Sequence, residues 1–208
     1  MVRFVDVSDL VPTIPKKRIK VKVLRRYDGF TLFNSTLELI LVDKRGTMIH
    51  AVLNKDLHVG YSEKLIEGRW FVISNFDLIL AMETFRPTPH LFEIHLKTST
   101  SVRKWKALQP KHFFAFARFQ DVLDGLVNPV FGVDLIGGVM SVGNYDEDVS
   151  PDITWNQVYL ELENEKQVFV HCQLPSEYSR EFFDGWKTCV DNIIICVLRF
   201  AKLEMAQG

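Results

Sequence analysis

A chain of 208 residues with 47% hydrophobic and 12% aromatic content can bury a core, which excludes a disordered tail. The net charge of −1 hides an uneven split: residues 1–110 carry 18 Lys and Arg against 11 Asp and Glu, a balance of +7, while residues 111–208 carry 7 against 15, a balance of −8. Cys172, Cys189 and Cys196 form no CxxC, which excludes a disulfide framework and a zinc site and fits buried thiols in an intracellular, soluble protein. Arg3, Asp6 and Asp9 exclude a signal peptide at the N-terminus, and the longest apolar run, Ile193–Leu198, is too short to span a bilayer.

The lead-in, residues 1–17, holds Pro12 and Pro15, which favour extended or turn backbone. Then Ile19, Val21 and Val23 fall on one parity, and Lys20, Lys22 and Arg26 on the other. That period of two predicts a strand with one packed face and one wet, cationic face. The cationic row is either a solvated face or a ligand face. Asp28-Gly29 predicts a turn. Strands are expected over 36–42 and 48–53, joined by a hairpin at Asp43-Lys44-Arg45-Gly46. Asn54 can cap a helix over 55–66, which Glu67-Gly68 ends. A fourth strand is predicted over 70–80 and a fifth over 90–96, with the loop Phe85-Arg86-Pro87-Thr88-Pro89 between them.

Residues 99–109, with Arg103, Lys104, Trp105 and Lys106, read as a basic linker. A short helix ending near Gly125 is expected next, then a strand over 133–142 with a bulge or sharp coil at Gly137-Gly138. Residues 144–154 read as an acidic loop. Strands over 157–162 and 167–174 turn at Asn164-Glu165, Pro175 starts a helix, and 193–203 is a last strand. The order of three strands, a helix and a strand occurs twice. Only five residues follow Leu203, so the second unit is expected to lack a fifth strand and to carry an open sheet edge.

Five strands with the helix between the third and fourth are the order of an OB-fold. The expected fold class is all-β: two tandem OB-fold barrels with one helix each, residues 1–108 and 109–208, the second lacking its last strand. The residues that carry a family resemblance are Val7-Ser8-Asp9-Leu10, Ile19-Lys20-Val21-Lys22-Val23-Leu24-Arg25, Leu41-Val42-Asp43 with Gly46 and Ile49-His50-Ala51, Glu67-Gly68 with Val72-Ile73-Ser74-Asn75-Phe76, and Phe85-Arg86-Pro87-Thr88. In the second half they are Val133-Asp134-Leu135-Ile136-Gly137 and Tyr159-Leu160-Glu161-Leu162-Glu163. On these the chain resembles the plant-expanded group of replication protein A large-subunit-like proteins. The resemblance implies single-stranded DNA binding in the nucleus, in replication, repair or recombination, without catalysis and without a cofactor. It adds other replication protein A-like subunits as candidate partners, and no membrane.

Unpaired bases stack on aromatic rings, and Lys and Arg follow the phosphates. The candidate contacts are Lys20, Lys22, Arg25, Arg26, Phe85, Arg86, Lys104 and Trp105, with Tyr27, Phe30 or Phe33 available on the other loop face. The resemblance places stacking aromatics at the end of strand three, where this chain has Leu53 and Gln173, and in the loop before strand five, where it has Phe85. Phe85 is either such a platform or a ring over the barrel mouth. Lys16-Lys17-Arg18 stands where the family often has a tryptophan, and could serve nuclear import. The six histidines lack metal-ligand spacing, and no nucleophile elbow, P-loop or zinc-protease motif is present. Asp146-Glu147-Asp148 reads as a solvated turn. The competing reading is an OB-fold protein-interaction module with weak or no DNA binding.

Overall fold

The computed structural model describes residues 4–30, 35–54, 61, 64–107, 112–143, 145, 157–189 and 193–204. The chain divides into two units, Met1–Phe113 with Val130–Gly132, and Phe114–Pro129 with Val133–Gly208.

The first unit holds β1 (Arg18–Phe30), β2 (Ser35–Val42), β3 (Met48–Asn54), β4 (Trp70–Ser74), β5 (Asp77–Leu80), β6 (Phe92–Leu96) and β7 (Ser101–Lys104). They form one sheet in the order β5-β6-β3-β2-β1-β4-β7, antiparallel except for β3 and β6. The alternation that predicts one strand over 70–80 yields two, because Asn75 turns the chain with φ 61°. One half, β4, pairs with β1 and the other, β5, with β6, so the bent strand joins the two sides of the sheet into a ring. Ile19, Val21, Val23, Leu37, Leu39, Leu41, Phe71, Ile73 and Ile94 fill it. Each such side chain contributes roughly 1.5–3 kcal/mol by leaving water.

The Val7–Asp9 turn seats Val7 and Leu10 in this core. The buried Asp43 carboxylate fixes that lead-in, accepting the Val7 N–H at 2.9 Å and, inside its own hairpin, the Arg45 and Thr47 N–H groups. The helix expected over 55–66 lies mostly outside the described residues. At its far end Leu65 is buried, and the Tyr61 hydroxyl donates to the Thr100 carbonyl at 2.6 Å.

Three expectations are corrected here. Asp28-Gly29 is not a turn but part of β1, opposite Leu37 and Thr36. A Cβ at Gly29 would meet the ends of the Glu38 and Thr36 side chains, which would have to shift to admit it. The parity of β1 does not hold to Arg26: a register shift between Val23 and Arg25 sets Arg25 opposite Ile40 and Arg26 opposite Leu39. Residues 101–104 are not linker but the strand β7, paired with β4.

In the second unit α1 (Phe119–Leu123) precedes β8 (Val133–Val142), β9 (Val158–Glu163) and β10 (Phe169–Leu174), then come α2 (Ser176–Thr188) and β11 (Ile195–Ala201). The sheet runs β10-β9-β8-β11, all antiparallel. The bulge of β8 sits between Val139 and Ser141, beyond the expected Gly137-Gly138. Gly137 instead permits close packing. A Cβ there would meet the Phe119 ring and the Glu163 carbonyl at 2.9 Å, so its absence lets Phe119 lie on the sheet. Pro175 opens α2, and the buried Ser179 hydroxyl accepts the Val158 N–H at 3.1 Å and lies within bonding distance of the Leu174 and Pro175 carbonyls. Asp134 ties β8 to β11, pairing with Arg199 at 3.2 Å and accepting the Phe200 N–H. Two curled sheets in tandem, each with the OB strand order, make this a tandem OB-fold protein; among the described residues the second has no counterpart of β6.

Candidate nucleic-acid interface

On the outer side of the first unit, strand pairing assembles a cationic wall. Lys20 lies opposite Val72, which lies opposite Arg103. Lys22 lies opposite Trp70, whose carbonyl accepts the Trp105 N–H at 2.8 Å. The Lys20 ammonium sits 4.1 Å from the centre of the Phe4 ring and 4.3 Å from that of Trp105. Phe4 and Trp105 meet edge to face at 6.2 Å, and Arg18 stands 5.5 Å over Phe4. Lys22 is 6.0 Å from the Phe113 ring, which packs on Trp70 and Val42. The quadrupole of each ring attracts the ammonium. Phe4 remains 38% exposed and Trp105 37%, so each ring keeps surface for a stacking partner.

The other candidate residues lie elsewhere. Arg25 pairs with Glu67 at 3.8 Å, and the Arg26 N–H donates to the same carboxylate. Lys104, opposite the core residue Phe71, has the parity opposite to Arg103 and is exposed at the sheet edge. Phe85 is half-buried in the loop between β5 and β6. Arg86 is engaged inside its own unit: its backbone bonds Val130 and Gly132, and its guanidinium donates to the His90 carbonyl and lies 5.1 Å from the Phe131 ring. Leu53 is fully buried in the barrel core and offers no platform. Among the loop aromatics, Tyr27 hydrogen-bonds Glu38, while Phe33 falls outside the described residues, as do Asp146, Glu147 and Asp148.

A second face of this barrel escapes a reading of single strands. Glu38, His50, Glu93 and His95 share the outer parity of β2, β3 and β6. His50 Nε2 is 3.1 Å from Glu38, its Nδ1 is 3.5 Å from Glu93, and His95 Nε2 is 2.6 Å from Glu93. Burial pulls the His50 imidazole down, but its hydrogen bonds to Glu38 and Glu93, with their charges, push it up to about 9. The hydrogen bonds from His50 and His95 hold Glu93 down to about 2 against its burial. Burial raises Glu83 nearby, with the Glu93 and Glu38 charges adding to it. His50 is thus an imidazolium clamped by carboxylates, on a face whose net charge is negative. The signal for it was an outward-parity Glu or His in each of three adjoining strands. Among the described residues no group of His, Cys, Asp and Glu could hold a metal ion, and no helix is long and apolar enough to cross a membrane.

This architecture is that of a tandem OB-fold protein with a cationic, ring-bearing wall on its first barrel. Residues 8–125 match the family described as "Domain of unknown function DUF223", and the chain belongs to that family. Comparison with curated proteins finds no match. Among solved structures, a chain of a replication protein A heterotrimer bound to ssDNA is similar over 95% of this chain, with a TM-score of 0.63 and 19% identity. This chain spans 47% of that one, about half its length. DNA-binding domain A of S. cerevisiae replication protein A is similar over 51% of this chain and 97% of its own, with a TM-score of 0.40 and 19% identity. Pot1pC of Schizosaccharomyces pombe bound to ssDNA is similar over 52% of this chain and 90% of its own, at 0.36 and 15%.

Proposed function

We propose that this protein binds single-stranded DNA on the outer wall of β1, β4 and β7, in nuclear replication, repair or recombination, alongside other replication protein A-like subunits. The observation that carries the reading is Lys20 held between the half-exposed Phe4 and Trp105 rings, with Lys22 and Arg103 on the same face. Cations and rings interleaved in one row are what unpaired nucleotides need: phosphates meet the ammonium and guanidinium groups, and bases stack on the rings. The Glu38–His50–Glu93 face would repel phosphates, so it steers the strand to the cationic wall. Phe85 at the loop is the candidate second ring.

Fluorescence anisotropy of a labelled oligothymidine, at two salt concentrations and beside a duplex, tests this. Trp105→Ala is expected to weaken single-strand binding by about 1–3 kcal/mol, one stacked base. Lys20→Glu is expected to lower the salt slope by about one. Unchanged affinity and slope in both variants would reject the wall as the DNA site.

A further inference from the structure

The first barrel closes because β6 lies between β3 and β5, parallel to one and antiparallel to the other. In the second unit β10 corresponds to β3, and β11, paired with β8 as β4 is with β1, corresponds to β4, whose outer edge in the first barrel is covered by β7, the segment that follows β6; β10 and β11 are both edge strands. Their pairing shows which backbone groups are turned to the gap. The Val139 N–H donates to the Ile194 carbonyl at 2.8 Å, in register with Cys196 opposite Gly137. By the alternation of an antiparallel ladder, Cys196 and Leu198 turn their polar groups to β8, and Ile195 and Val197 turn theirs away. On the other edge the Asn164 N–H donates to the Val168 carbonyl, so Val170 and Cys172 bond β9 while Phe169, His171 and Gln173 face outward. Among the described residues nothing pairs with either row.

The side chains around the gap are apolar on the inner side of the sheet, while on the outer side β10 presents Phe169, His171 and Gln173 and β11 presents Ile195 and Val197. Val170 belongs to the core cluster of this unit, and the partly buried Cys172, Cys196 and Leu198 pack against it. On the outer side Ile195 is 59% and Val197 42% exposed, with Ile136 opposite Val197. Glu161 and Glu163 stand on the outer face of β9, opposite His171 and Phe169.

We propose that the second OB-fold is completed by one extended strand of a partner polypeptide, inserted parallel to β10 and antiparallel to β11. The partner segment is about five residues or more, the usual length of a strand. Its inward positions are apolar, as Ile94 and Leu96 are in β6, and cover Cys172 and Cys196. Its outward positions are Lys or Arg. Their aliphatic stems lie over Ile195 and Val197, and their charged heads reach Glu161 and Glu163. Residues 114–208 carry 6 Lys and Arg against 15 Asp and Glu, which favours a basic partner strand. Backbone pairing on two edges supplies affinity, and the alternating side chains supply selectivity.

The experiment uses the full chain and a fluorescein-labelled peptide of alternating lysine and isoleucine, about seven residues long. The control has the same residues sorted into one lysine block and one isoleucine block. The alternating peptide is expected to bind about tenfold more tightly than the block peptide. At saturation it is expected to slow maleimide labelling of Cys172 and Cys196 severalfold, while the exposed Cys189 reacts as before. Val197→Pro, which removes one N–H aimed at the gap and none aimed at β8, is expected to abolish the preference; circular dichroism checks its fold. If Val197→Pro unfolds, thiol protection in the unaltered chain decides. Equal binding of the two peptides, unchanged labelling of both thiols, or thiols already protected in a self-associated chain would overturn the proposal; the last outcome assigns the gap to a second copy.

Discussion

Among the described residues both units begin with three antiparallel strands, and they differ at the closing side: the first has β5, β6 and β7, which have no counterpart in the second. In the first, β6 lets every inner strand pair on both sides, and its core residues are almost wholly buried. In the second, the last strand keeps Ile195 and Val197 in solvent, and the thiols of Cys172 and Cys196 beside the gap are only half-buried. Burial raises both thiols, Cys172 to about 11 with Cys196 adding to it. The segment from β5 to β7 therefore separates a sheet closed on itself from one whose edge strands, among the described residues, have no second partner.

The comparison is sharpened most by removing a core ring. Phe71→Ala is expected to cost the closed barrel about 3–5 kcal/mol, read as an early shift in chemical unfolding. A matching shift in a Trp186-reported transition of the second unit would break the distinction. Next in size is pH. His50 titrates near 6.5 when unfolded and near 9 when folded. Its stabilisation is whole below pH 6.5 and is lost as pH rises to 9, by up to about 3 kcal/mol. Denaturation midpoints of the closed barrel should fall over that interval, and His50→Gln should flatten the fall; a slope that persists would remove His50 as its cause. In the open unit, Ser179→Ala leaves the buried Val158 N–H without its acceptor, at about 1–3 kcal/mol. The smallest effect is Lys22→Ala, about 0.5 kcal/mol of stability through the Phe113 ring. A larger change by calorimetry would make Lys22 a structural residue rather than a surface cation.

Strand-by-strand alternation made most of the architecture readable. Ile19, Val21 and Val23 announce β1, and Leu37, Leu39 and Leu41 announce β2, since each row buries one face. What failed depended on contacts across the sheet. Ser101–Lys104 has one apolar residue, Val102, too few to show alternation, so a strand looked like linker and the position of Trp105 beside Lys20 was hidden. Val23-Leu24 is apolar twice over, which masks the bulge that separates Lys20 and Lys22 from Arg25 and Arg26. Arg86 looked free because the segment that engages it, Val130–Gly132, lies more than forty residues on. The acid–imidazole face needed three registers at once.

The closing strand also bears on how the chain folds. Joining Ala51 to Ile94 and Ile19 to Ile73 brings together residues far apart in sequence, and such pairings are slow to form because loop entropy is lost before contacts are gained. The β9–β10 hairpin closes over a short connection instead. The second unit has its own distant pairing, Gly138 with Ile195, so its β9–β10 hairpin should form first during synthesis or refolding and wait with its outward backbone groups exposed.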